Sequence, residues 1–146
     1  MPRTKLDEQP VYEFSCAIVL QPRDINYGGH LGNDSLVSLI GAARAGMLHS
    51  MALSEGNLGD GKTGIIMADL TVSFRAEAFM FDELQIDTHV GELSRTGFRI
   101  FHRIRRGETI VAFAETGMVA FDYATRKIGH VTDTLIAALN QRKGDL

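Results

Sequence analysis

Residues 23–48, "RDINYGGHLGNDSLVSLIGAARAGML", decide the fold, because they pass from a glycine-rich polar loop into the clearest helical pattern of the chain. Leu36, Leu39, Ile40, Ala43, Met47 and Met51 recur three and four residues apart, lining one face of an α-helix. Asn33 or Asp34 is placed to cap it, since a side-chain oxygen there accepts an orphan amide of the first turn. The helix is expected to run to about Leu53, followed by the flexible connection "SEGNLGDGKTG". Gly41 and Gly46 each lower its propensity, so something is expected to pack close to the helix backbone there.

Upstream, "VYEFSCAIVLQ" (11–21) is β-branched and aromatic and too short for a helix of this composition, so it predicts a strand ended by Pro22. Residues 1–10 read as a flexible tail, leaving 11–146 as a single domain. Downstream, the chain reads as strand and turn from Thr63 to Tyr123. Leu70, Val72 and Phe74 alternate with Asp69, Thr71, Ser73 and Arg75. Phe98, Ile100, His102 and Ile104 alternate with Arg99, Phe101, Arg103 and Arg105. A hairpin signal surrounds Gly107, and a short helix, "DTLIAALNQRK", follows the last strand. One strand, one long helix, then four long strands joined by short turns predict an α+β domain with a curved antiparallel sheet wrapped around the helix.

The chain has 146 residues, 45% hydrophobic and 23% charged, with a formal net charge of -3. Mild acidity speaks against nucleic acid and against an anionic membrane surface as partners. The N-terminal "MPRTKLDEQP" lacks the apolar core of a signal peptide, and no apolar run is long enough to cross a bilayer, so a cytoplasmic location is expected. The lone Cys16 is expected to be a buried, inert thiol. Five histidines without paired spacing and no cysteine cluster predict no metal site. A nucleophile elbow, a P-loop and a dinucleotide fingerprint are all missing.

The pattern D-x-[DN]-x-x-G-H-x-x-N, carried here by Asp24, Asn26, Gly29, His30 and Asn33, followed by "LVSLIGAARAGML", "FRAEAFMFDEL" and "GELSRTGFRIFHRI", resembles the hotdog-fold acyl-CoA thioesterases, in particular their 4-hydroxybenzoyl-CoA thioesterase-like branch. The resemblance spans roughly residues 11–125. It implies a dimer or tetramer with an acyl thioester bound at the subunit interface, coenzyme A being part of the substrate and no other cofactor being needed. It also implies that backbone amides of the loop and the helix N-terminus polarise the thioester carbonyl. Where many members carry a catalytic aspartate this chain has Asn26, and the helix reads "AAR" (42–44) where "EAR" is frequent.

Candidate catalytic residues are therefore Asn26, to orient water or donate to the carbonyl oxygen, with Asp24, His30 and Asp69 as groups able to move a proton. Each also has a structural alternative. Asp24 can bond its own turn, His30 can pin the loop, and Asn33 can cap the helix. Asp69 is a lone carboxylate in an otherwise apolar strand, which needs a partner or a function. Tyr27, Gly28, Gly29 and Asn33 are candidate substrate contacts on the loop, and Arg95 and Thr96 are candidates for the nucleotide of coenzyme A. Arg99, Arg103 and Arg105 share a strand face that is either solvated or phosphate-binding. Met47, Met51, Met67 and Phe74 are candidates for pocket wall or core. Three readings follow: hydrolysis of an acyl thioester, binding of an acyl ligand without turnover, or a purely structural dimer.

Overall fold

The computed structural model describes residues 4–146. The first three positions of the expected tail lie outside the described residues, and residues 4–13 carry no helix or strand. Elements follow in the order β1 (Phe14–Val19), α1 (Asn33–Ser50), β2 (Thr63–Phe74), β3 (Glu83–Val90), β4 (Gly97–Arg106), β5 (Thr109–Asp122), β6 (Lys127–Ile128) and α2 (Asp133–Gly144). The strands form one antiparallel sheet in the order β1-β3-β4-β5-β2, and the short β6 pairs with β5. This is the helix-and-sheet architecture that the spacing predicts, with β6 as an addition. Register shifts at Met67/Asp69 in β2 and Ile104/Arg105 in β4 bend the sheet, as bulges do.

One face of the sheet receives α1. The helix buries Leu36, Ile40, Ala43, Met47 and Leu48. Full burial of a large apolar side chain is worth about 1.5–3 kcal/mol. Four such residues outweigh two glycines, at about 1 kcal/mol each. The close packing expected at those glycines is not found. A Cβ at Gly46 would meet nothing within 4 Å, and one at Gly41 would meet only Arg44 Nη2 at 3.7 Å. Gly46 is exposed and Gly41 half-buried. The helix also stops at Ser50, short of Leu53. Ala52 adopts φ 59° while its amide bonds His49 O and that of Leu53 bonds Leu48 O, closing the last turn and dropping Leu53 into the core.

The buried residues form two clusters. One holds the C-terminal half of α1 with Ile65, Val90, Ile100, Met118, Leu135 and Leu139. The other holds its N-terminal half with Leu20, Leu84, Ile86, Ile104, Val111 and Ala114. The inward alternation of three adjacent strands places Thr88, His102 and Thr116 between them, all nearly inaccessible. His102 Nδ1 lies 3.0 Å from Thr88 Oγ1, while His102 Nε2 and Thr116 Oγ1 have no partner among the described residues. Burial, reinforced by the positive charge of Arg44, pushes the His102 pKa down to about 3. The ring is neutral at pH 7.

On the opposite face, Arg99, Arg103 and Arg105 of β4 are engaged by carboxylates. Arg103 and Arg105 both donate through Nε to Asp87 Oδ2, at 2.8 and 2.7 Å, and Ser15 donates to Asp87 Oδ1 at 2.8 Å. Burial raises the Asp87 pKa, but these bonds outweigh it and leave the group below the ordinary carboxylate value. Arg103 also meets Glu8, and Arg75 Nη2 donates to Leu6 O at 3.3 Å, so the segment before β1 touches this face. Cys16 is half-buried rather than buried, because β1 is an edge strand. Burial, with Asp87 nearby, raises its pKa and favours the thiol.

Candidate active site

The loop between β1 and α1 is a miniature hairpin. A single 3-10 turn, Pro22–Asp24, leads into a bridge between Ile25 and Leu31. The amide of Asn26 donates to His30 O at 2.9 Å, and Gly29 N donates to Asn26 O at 3.1 Å. Gly29 sits at φ +81°, a conformation that glycine adopts without a steric penalty. Asp24 locks the base of the hairpin. Its Oδ2 accepts from Gln21 N at 2.8 Å, and its main-chain oxygen accepts from Gly32 N at 2.9 Å. The side chain is buried in this structural task.

Gly32, held by that bond, becomes the N-cap of α1 with extended backbone and no side-chain cap. This corrects the expected capping by Asn33 or Asp34. Asn33 is already the first helical residue, and its Oδ1 accepts from Asp34 N at 2.9 Å. The hairpin fixes the chain's entry to the helix, so the cap falls one residue earlier.

The amides of residues 28–32 are also consumed. Those of Gly28 and His30 donate to Asn26 Oδ1 at 3.0 and 3.4 Å, that of Leu31 to Ala78 O at 2.8 Å, and those of Gly29 and Gly32 as above. Backbone N–H groups only donate, so the atom facing them is the amide oxygen of Asn26, and its Nδ2 turns the other way. Among the described residues, Nδ2 and the main-chain amide of Asn33 have no protein acceptor.

These groups border a cleft of about 480 Å³, within the range of small-molecule sites. Asn26, His30 and Asn33 line one side; Phe74, Arg75 and Glu77, from the end of β2 and the turn after it, line the other. His30 Nδ1 faces Leu31 O at 3.3 Å, and its Nε2 lies 3.9 Å from Glu77 Oε1. Tyr27, at the hairpin tip, is fully exposed.

The chain does not bring the remaining expected residues to this cleft. Asp69 is gripped by Arg99 in a two-pronged pair, Nη1–Oδ2 at 2.9 Å and Nη2–Oδ1 at 2.6 Å. That pairing holds its carboxyl below the usual range. It stands five residues along β2 from Phe74, roughly 17 Å away at strand rise. Arg95 and Thr96 precede β4, at the end opposite the cleft, where their carbonyls accept the amides of Val131 and Ala120. Of the four possible wall residues, Phe74 lines the cleft, Met47 and Met51 belong to the core, and Met67 is exposed on β2. Glu77 and Arg75 were not singled out as site residues, although "FRAEAF" places both beside the alanines that let the turn pack closely.

No helix among the described residues is long and apolar enough to cross a membrane. No curated protein matches the chain. Among solved structures, it is similar to a 1,4-dihydroxy-2-naphthoyl-CoA thioesterase from Synechocystis, at 20% identity and TM-score 0.78, covering 87% of this chain and 95% of that one. A gentisyl-coenzyme A thioesterase matches at 17% identity and TM-score 0.77, over 86% of this chain and 99% of that one. A protein from Thermus thermophilus of unassigned activity matches at 17% and 0.79, over 87% and 97%. At these identities the likeness is one of fold, that of the hotdog thioesterases. The model of the thioesterase-like superfamily matches residues 20–139, most of the length, and the chain therefore belongs to that superfamily.

Proposed function

We propose that the protein hydrolyses an acyl-CoA or a similar acyl thioester in the cleft between the hairpin loop and the end of β2. The observation that carries this reading is that Asn26 Nδ2 and the Asn33 amide at the helix N-terminus, both on residues lining the cleft, have no acceptor among the described residues. Two donors on one wall, aided by the helix dipole, suit the oxyanion that forms as a thioester carbonyl is attacked. Asn26 replaces the usual aspartate, so it serves here as a carbonyl donor, and water is the nucleophile. The amides of residues 28–32 build the loop and take no part.

The site belongs to a dimer in this proposal. β2 is an edge strand of twelve residues; the preceding loop bonds Thr63 and Ile65, and the stretch from Met67 to Phe74 is the open part, with Met67 and Phe74 exposed. A long apolar edge of this kind calls for a partner strand. Antiparallel pairing of two β2 edges would bring the Thr63 end of one copy toward the Phe74 end of the other. Arg95 and Thr96 are tied to the Thr63 end through β5, so the second copy would carry them toward the cleft, where they could bind the nucleotide of coenzyme A. Tyr27, Gly28 and Gly29 then meet the substrate near the thioester, in a cytoplasmic setting and with no cofactor beyond the substrate itself.

The test is release of free thiol from a panel of acyl-CoAs by the purified protein, together with its mass in solution. Thiol release by a dimer or larger assembly supports the proposal. Asn26 at the acidic position favours a second reading, an acyl-CoA-binding protein. That reading predicts thermal stabilisation by an acyl-CoA with no thiol released.

A further inference from the structure

Resting on the hydrolase reading above, we propose that Glu77 is the general base of this site, acting on a water held between its carboxylate and His30. Three observations converge on it. Glu77 is the carboxylate that lines the cleft, and its side chain is 62% exposed there. The other candidates are engaged elsewhere: Asp24 on the Gln21 amide and Asp69 on Arg99. The acid absent from position 26 thus has a counterpart on the facing wall.

The turn that carries Glu77 is anchored on both sides. Ala76 N donates to Val111 O at 3.1 Å, Arg106 Nη1 donates to Glu77 O at 2.9 Å, and Leu31 N donates to Ala78 O at 2.8 Å. Ala78 is buried, so the backbone sits fixed against the loop while the Glu77 side chain projects into the cleft. The last of these bonds ties the turn to the residue after His30, which holds the two backbones side by side across the cleft.

The His30 ring has one usable tautomer. Leu31 O can only accept, so the ring proton of neutral His30 lies on Nδ1, and Nε2 is left as an acceptor facing Glu77. Two acceptors 3.9 Å apart are too far for a direct bond. One water donating to both, at about 2.8 Å each, spans such a gap. Both its protons are then taken up, and a lone pair is free toward the carbonyl carbon.

In the step itself, the water oxygen bonds to the thioester carbon while one of its protons passes to Glu77. Negative charge collects on the carbonyl oxygen at Asn26 Nδ2. Collapse of the tetrahedral species breaks the C–S bond, and Glu77 returns the proton to the leaving sulfur. The products are a carboxylic acid and a thiol, and the balance requires only water and the thioester.

The experiment is steady-state thiol release between pH 4.5 and 8.5 by the full chain and its Glu77→Gln, Glu77→Asp and Glu77→Ala variants, with acetyl-, hexanoyl- and benzoyl-CoA. Glu77→Gln should lower kcat by on the order of 100-fold or more, with KM and Tm nearly unchanged, and should flatten the acid limb of the kcat profile. Glu77→Asp should retain an intermediate rate, and formate should restore part of the Glu77→Ala rate. Glu77→Gln within threefold of the parent kcat, or a loss that follows Tm and that formate does not rescue, overturns the role of Glu77 while hydrolysis stands. A parent protein that releases no thiol overturns the hydrolase reading and this inference with it.

Discussion

Lowering the pH from 7 to 5 should cost the fold about 2 kcal/mol through His102 alone. In the native state the ring is 1% exposed and its pKa is about 3; in the unfolded chain it returns to the ordinary histidine value of 6.5. Below 6.5 the unfolded state takes up a proton that the native state refuses, so stability falls as pH falls and is fully present only above that value. At pH 5 the unfolded side is 1.5 pH units below its pKa, which at about 1.4 kcal/mol per unit gives roughly 2 kcal/mol. For a domain of this size that is a fall of about 4–8 °C in Tm. The assay is urea unfolding at pH 7 and pH 5 for the parent protein and for His102→Gln, which keeps a polar group near Thr88 but does not titrate. Other groups titrate equally in both proteins, so the difference of differences isolates His102. Identical pH dependence in the two would refute the assignment of a neutral, water-excluded ring.

Three further outcomes follow from the packing. Asp87→Asn should destabilise by about 2 kcal/mol at pH 7, because it leaves Arg103 and Arg105 without their shared, nearly inaccessible carboxylate. Since the folded Asp87 pKa is depressed, this contribution is present above the ordinary carboxylate pKa and lost as pH falls through the folded value, so parent and variant should converge in acid unfolding. Gly46→Ala should stabilise by about 0.5–1 kcal/mol, since its Cβ meets nothing and the helix gains propensity, whereas Gly97→Ala should destabilise by about 2 kcal/mol because its Cβ would fall on Met118 O; thermal melts of the two variants check both signs.

The fold was legible because its signals are local. Leu36, Ile40, Ala43 and Met47 mark the buried face of α1, and Phe98, Ile100, His102 and Ile104 mark the buried face of β4, each by spacing alone. The cap was misplaced because a long-range bond, Gly32 N to Asp24 O, sets the start of the helix, which a propensity argument about Asn33 does not see. The polar belt of Thr88, His102 and Thr116 comes from three strands 14 residues or so apart and emerges only once their register is known.

The lining of the cleft was legible on its loop side and not on the other. Asn26, His30 and Asn33 lie close together in sequence and meet in the cleft. Glu77 comes from 47 residues after His30, and only the turn pinned by Leu31 and Arg106 brings it within 3.9 Å. Arg99, Arg103 and Arg105 read as a basic face because their partners, Asp69, Asp87 and Glu115, lie on other strands.

In the proposed reaction, Asn26 Nδ2 receives the negative charge of the carbonyl oxygen. Thiol release from acyl-CoAs by the parent protein and by Asn26→Ala, with Tm recorded for both, tests it most directly. The expected result is turnover by the parent and a loss on the order of 100-fold in kcat for the variant, the effect of removing one oxyanion donor. Equal rates in the two proteins, or an acyl-CoA that stabilises the parent without any thiol appearing, would contradict it.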